Sequence, residues 1–309
     1  MGVVIMRVLL TGWFSFTHGE ATAGDVLALE AVRSALRSAA IDCDTVWSPV
    51  FRPGGLRLQD AEPERYSHLI FVCGPVRGEQ VAALHARYAS CRRIAVGVTV
   101  IDRRDQEAAA FDLVLARDGN GSPPLPDLAV AAPPPSGGPV PAAGVVLATG
   151  QGEYGERRRH EIVADRLTGW LGSKECAPVP LETRLDSRDW RLCSTPKAFM
   201  SLVSRLDVVV STRLHGLVLA LRAGVPALAV DPVAGGGKVT AQALAWRWPA
   251  ILAAGDTTDR ARLDAQWDWC LSAAGRTAAA WAAVQSAGRD QHPLITAMMA
   301  DLGASPALA

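Results

Sequence analysis

The sequence predicts an α/β protein of two halves, each built around a mostly parallel sheet. Short β-branched runs alternate with stretches whose apolar residues recur at helical spacing, the signature of strand–helix–strand units. A stretch rich in proline, glycine and small residues, 129–144, interrupts that alternation once, as a domain linker does. The chain has 309 residues and 49% hydrophobic content, enough to bury two ordinary cores.

In the first half, strands are predicted at 3–10, 43–47, 69–73, 94–98 and 113–115, with helices at 26–39 and 80–88. Asp25 is suited to cap the first of these helices. A new strand is expected from Val145. Val208 to Val210 form a β-branched run, Leu214, Leu217, Val218 and Leu221 follow at helical spacing, and Gly224 and Pro226 end that helix. A strand at 227–230, a glycine-rich turn at 231–240 and an alanine-rich helix come next, and the chain from Asp259 onward reads as helices. The expected divisions are 1–128 for the first α/β domain, 129–144 for the linker, 145–275 for the second α/β domain and 276–309 for a helical tail.

Several function classes are excluded or disfavoured by composition. The 31 Lys and Arg balance 31 Asp and Glu, so no global basic field draws nucleic acid, and anion recognition must be local. Six scattered cysteines lack any C-x-x-C pair, which argues against a structural zinc site or a disulfide framework and for reduced thiols of the cytoplasm. No histidine spacing partners Asp186 and Asp189 as a metal constellation would require, and no metal or cofactor is expected. The amino end is short and broken by Arg7, so it reads as a buried strand and not a signal peptide; no run approaches a membrane span. The Trp-containing stretches W-R-W and W-D-W could contact sugar, but packing of the tail is the simpler role.

The chemistry concentrates in V-V-V-S-T-R-L-H-G, residues 208–216. The pattern is strand, turn, helix. Ser211 and Thr212 are suited to cap the helix, which puts Arg213 and His215 in its first turn, where free N–H groups and the positive end of the helix dipole gather. A cation there is electrostatically misplaced unless an anion joins it, and a guanidinium matches carboxylate or phosphate. The alternative is an Arg213 paired with a neighbouring Asp and a satisfied core histidine. Ligands of open α/β sheets bind beyond the carboxyl ends of strands, so Lys238, after the next strand, belongs to the same edge. Gly235 to Gly237 permit close backbone approach or a simple flexible lid. The G-K pair is no P-loop, since Val239 follows it and Pro232 takes the place of the first motif glycine.

A rival motif lies at Gly150, Gly152 and Gly155, where G-x-G-x-x-G follows a strand and precedes a helix. A dinucleotide site needs an acid about 20 residues on. Glu175 is the one available, and it does not clearly end a second strand. The loop could instead bind phosphate, with Arg157, Arg158 and Arg159 nearby, or carry a solvated basic face.

The run S-T-R-L-H-G-L-V-L-A-L-R-A-G-V-P-A-L-A-V followed by Lys238 resembles the signature of the polysaccharide pyruvyl transferase family. T-A-G-D-V-L-A-L-E-A-V near the amino end resembles the family's Gly-Asp step, here Gly24 and Asp25, and F-D-L-V-L-A-R-D with L-P-D-L-A-V resembles the elements that close its first domain. V-C-G-P at 72–75 departs from the glycine-rich step common in the family. The resemblance implies two Rossmann-like domains in a GT-B-like fold, and transfer of pyruvate from phosphoenolpyruvate to sugar hydroxyls as a ketal. It makes His215 the general acid and Arg213 and Lys238 anion ligands. Arg117 adds an anion contact or a local salt bridge, and Gly150 and Gly152 lie where phosphate would approach the second domain's backbone. The acceptor side would fall to the first domain, where the loop 12–24 carries His18 and Glu20. The expected partners are phosphoenolpyruvate and a sugar or glycolipid acceptor, with peripheral membrane contact if the acceptor is lipid-linked, and no nucleic acid. A nucleotide-sugar glycosyltransferase and a non-catalytic sugar-binding relative remain as alternatives.

Overall fold

The computed structural model describes residues 6–17, 19–102, 104–119, 121, 123–287 and 292–302. His18 and the first residues of the predicted strand at 3–10 lie outside them. The chain divides into two compact units, Met1–Gly137 and Gly138–Ala309.

The first unit runs β1 Arg7–Thr11, α1 Ala23–Ser38, β2 Asp42–Thr45, β3 His68–Val72, α2 Glu79–Arg87, β4 Arg92–Val100, α3 Gln106–Ala109 and β5 Leu113–Gly119. Its strands pair in the order β2-β1-β3-β4-β5, all parallel. Leu9, Leu69, Phe71 and Ala95 are fully buried between the sheet and its cover. Helix α1 begins three residues before the expected Val26. Thr22, not Asp25, is its N-cap: Thr22 Oγ1 accepts from the Asp25 N–H at 3.2 Å, and Asp25 reaches back to the Thr22 N–H and hydroxyl. That reciprocal box satisfies two helix-start donors where the expected lone Asp cap satisfies one.

The second unit runs β6 Ala142–Val146, α4 His160–Leu171, β7 Ala177–Pro180, α5 Pro196–Val203, β8 Val208–Ser211, α6 Leu214–Arg222, β9 Ala227–Asp231, α7 Lys238–Trp246, β10 Ile251–Ala253, α8 Arg260–Leu271, α9 Ala273–Ala287 and α10 Pro293–Asp301. The sheet order is β10-β9-β8-β6-β7, again all parallel. Strands β8 and β9 are buried at every residue, which is why both read as continuous apolar runs and not as alternations. Strand β6 starts at Ala142, ahead of the expected Val145, because Ala142 to Gly144 already pair with β7. Helix α6 ends as anticipated. Gly224 takes φ +75°, and the N–H groups of Gly224 and Val225 fold back on the carbonyls of Leu221 and Ala220. Four of the tryptophans pack in pairs: Trp170 meets Trp267 and Trp248 meets Trp269 edge to face, with centroids 5.6 and 5.2 Å apart, whereas Trp190 and Trp281 are exposed.

In both units the chain leaves its first strand toward one neighbour and returns to the other side. In the second unit this switch falls between β6 and β8, and the crevice at such a point is where open α/β sheets hold ligands.

Candidate active site at the carboxyl edge of the second sheet

Three loops follow the carboxyl ends of adjacent strands: 147–159 after β6, 212–213 after β8 and 232–237 after β9. They bring Gly150, Gly152, Arg213, His215 and Lys238 to one edge of one sheet. The first two loops are tied together. The Ala148 N–H donates to Thr212 Oγ1 at 2.7 Å, and the Thr212 N–H to the Val146 carbonyl at 3.0 Å.

Ser211 and Thr212 do not cap α6. Arg213 is the N-cap residue, extended at φ −113° and ψ 134°, and no side chain caps the helix. The Ser211 hydroxyl is spent on Arg213 itself, accepting from its N–H at 3.0 Å and donating to its carbonyl at 2.8 Å. The first-turn N–H groups are therefore left for a ligand or solvent. Gly216 is needed for this turn, since a Cβ there would collide with Ser211. His215, second in the helix, has its side chain exposed.

Arg213 has a carboxylate partner that the sequence did not reveal. Its Nη1 lies 2.8 Å from Glu182 Oε1 and donates to Thr183 Oγ1 at 3.0 Å, both just past β7. Its Nε is buried with no acceptor. Glu182 stands two residues beyond the strand end, where the acid of a dinucleotide site would stand, whereas Glu175 precedes β7 and is exposed. The G-x-G-x-x-G loop still fails as a dinucleotide fingerprint. Residues Gly152–Arg157 form a 3-10 turn, and α4 begins only at His160, five residues after the third glycine. Gly150 and Gly155 do need their freedom, with φ of +78° and +49°.

The glycine-rich turn after β9 closes on a side chain and not on open space. Asp231, fully buried, accepts from the N–H groups of Val233, Gly237 and Thr240 at 3.0, 2.7 and 2.8 Å. Its carboxylate thus occupies the N-terminus of α7. Lys238, the first residue of that helix, turns toward the β6 loop, with Nζ 4.0 Å from Glu153 and 5.8 Å from the centre of the Tyr154 ring. The two loops join through a bridge between Arg158 and Val233. Beneath them His160 is 1% exposed, stacked with Tyr154, and neither ring nitrogen has a partner. Burial pushes its imidazole below the ordinary histidine range.

The remaining predicted residues belong to the first unit. Arg117 bonds to Asp118 at 2.6 Å, to Asp127 and to Thr99 Oγ1 at 3.0 Å, so its guanidinium is spent on neighbours. Burial pushes the Cys73 thiol up to about 11, with the charges of Asp127 and Asp25 acting in the same direction. Cys73 and Gly74 of V-C-G-P both take left-handed conformations, at φ +60° and +73°. A Cβ at Gly74 would strike the Trp13 indole, which donates to the Pro75 carbonyl at 3.0 Å. Gly24 and Asp25 serve the start of α1. Among the described residues no cluster of His, Cys, Asp and Glu could hold a metal ion, and no helix is long and apolar enough to cross a membrane.

The fold and this edge define a chain of two parallel-sheet α/β units with a cation-bearing helix start at the second unit's switch point. Residues 126–232, which include Gly150, Gly152, Arg213 and His215 but not Lys238, match the polysaccharide pyruvyl transferase family. No curated protein matches the sequence significantly. Among solved structures, the chain resembles MurG of Acinetobacter baumannii at 12% identity and a TM-score of 0.32, covering 96% of this chain and 98% of that one. It also resembles the E. coli heptosyltransferase WaaC with ADP, at 13% identity and a TM-score of 0.27, covering 89% and 100%. The calicheamicin glycosyltransferase CalG4 matches at 11% and 0.32, covering 97% and 98%. Likenesses this loose carry no argument about chemistry, which rests on the residues above.

Proposed function

We propose that the protein transfers pyruvate from phosphoenolpyruvate to two hydroxyls of a sugar or polysaccharide precursor, forming a ketal and releasing phosphate. The observation that carries this reading is the pairing of Arg213 and His215 on one helix start. The arginine is fixed by Glu182 and Thr183 while the histidine is exposed beside it, within the segment that matches the pyruvyl transferase family.

Phosphoenolpyruvate brings a carboxylate and a phosphate, and the free N–H groups at the start of α6, with Arg213, favour such an anion. Lys238 adds a cation from the adjoining loop, and the exposed backbone at Gly150 and Gly152 leaves room for a ligand to approach. His215 donates a proton to the methylene carbon, and the adjacent carbon becomes cation-like. A sugar hydroxyl adds to it and loses its proton. Phosphate then leaves with the electrons of its C–O bond, a second hydroxyl adds in its place, and its proton is lost to close the ketal. Cations beside the departing phosphate stabilise the charge it carries away. The same reading puts the protein in the cytoplasm, meeting a membrane surface only through a lipid-linked acceptor.

A thermal-shift titration tests the donor. Phosphoenolpyruvate should raise the melting temperature with concentration, because a ligand of the native state stabilises it by mass action. A shift with nucleotide sugars and none with saturating phosphoenolpyruvate would replace pyruvyl transfer by glycosyl transfer.

A further inference from the structure

The first unit contains a cavity of about 460 Å³ lined by its own residues. It is lined by the segments that follow β1 and β2 and by one face of α2. Its volume falls within the range of roughly 300–1,000 Å³ usual for small-molecule sites. Its walls include Trp47, Arg57, Leu58, Gln59, Gln80 and Arg87, and among the described residues no carboxylate lines it.

Two arginines without a lining acid give the cavity a net positive charge. Arg57 is exposed and has no carboxylate partner among the described residues. Arg87 is held in place, with Nη2 donating to the carbonyls of Gln59 and Ala61 at 2.9 and 3.2 Å. Tyr88 anchors the same wall through its hydroxyl, which donates to the Ala61 carbonyl at 2.8 Å. The loop that carries Arg57 and Gln59 is therefore braced. Guanidinium forks match phosphate or carboxylate, side-chain amides both donate to and accept from hydroxyls, and the half-buried Leu58 and Pro49 offer apolar surface to the C–H face of a sugar ring.

We infer that this cavity binds an anionic saccharide, a hexopyranose bearing a phosphate or a carboxylate. The inference deepens the pyruvyl-transfer reading and rests on it only in taking this ligand to be the acceptor. Binding itself is measured without any donor, so a failed donor test leaves it standing.

Calorimetry of the full chain with glucose 1-phosphate, glucuronate, glucose and inorganic phosphate tests the inference. One of the two anionic sugars should bind at least tenfold more tightly than glucose and than phosphate alone, and the tighter one identifies the anion. Arg57→Ala and Gln80→Ala should each weaken that binding about tenfold with unchanged circular dichroism. These two variants decide the matter, because Arg87→Ala would also loosen the braced loop. Equal binding of glucose and both anionic sugars, no binding of either anionic sugar at millimolar concentration, or binding indifferent to both substitutions would overturn the inference.

Discussion

Arg213 and Glu182 form an ion pair of 2.8 Å at the carboxyl edge of the second sheet, the arginine at the start of α6 and the glutamate just past β7. Both side chains are about a quarter to a third exposed, so the pair is screened, and its main effect is to orient the guanidinium. It also places a negative charge beside the position proposed for the donor's anion.

Glu182→Gln keeps a carbonyl acceptor for Arg213 and removes that charge. Phosphoenolpyruvate affinity should rise roughly fivefold, about 1 kcal/mol, at low ionic strength, and the gain should shrink with added salt. A variant that binds the donor tenfold more weakly would show that the full carboxylate is needed to hold Arg213 in place.

His215→Gln should leave donor affinity within about twofold and cut phosphate release at least a hundredfold, the usual contribution of a positioned proton donor. Circular dichroism should be unchanged, since the side chain is exposed. Full turnover in the folded variant would remove His215 from the acid role.

The strand–helix alternation of the second unit was legible because β8 and β9 are buried on both faces and leave an unbroken apolar signature. Arg213 and His215 were legible because charge at a strand–helix seam is unexpected. Glu182 was not, since its partner lies 31 positions away and only the β7-β6-β8 strand order brings them together. Asp231 read as the first residue of a ligand loop, and its capture by backbone donors depends on the glycines folding back over it. At α6 the expected cap is absent because the Ser211 hydroxyl bonds to Arg213, and at α1 the helix starts earlier because Thr22 and Asp25 cap it reciprocally.

Asp231→Ala should destabilise the second unit by roughly 3 kcal/mol or more. It leaves one buried and two part-buried N–H donors without an acceptor, a buried one costing about 1–3 kcal/mol, and removes the carboxylate that caps α7. Urea denaturation measures this, and a midpoint equal to the wild type would mean that the loop does not depend on the carboxylate.

Stability should fall as the pH drops below about 6.5. Burial lowers both His85 and His160, so the unfolded chain takes up protons at a higher pH than the native one. Their contribution is intact above the ordinary histidine range and is lost as the pH falls through their depressed values, by up to about 1.4 kcal/mol per pH unit for each. His160→Gln should flatten the urea midpoint between pH 7.5 and 5. A wild type already flat over that range would contradict neutral buried imidazoles.

Gly74→Ala should cost roughly 2–4 kcal/mol, from a left-handed backbone and a collision with Trp13. The first unit should lose stability while phosphoenolpyruvate binding to the second is retained. Native stability in this variant would show that the 72–75 turn relaxes freely.

Calorimetric titration of phosphoenolpyruvate into the wild type and Arg213→Ala measures whether the start of α6 holds the pyruvyl donor. Binding to the wild type should be saturable and weakened by roughly 2–5 kcal/mol in the variant, which is about thirtyfold to several thousandfold in Kd. Equal affinity in both proteins, or no binding to the wild type, would contradict donor binding there.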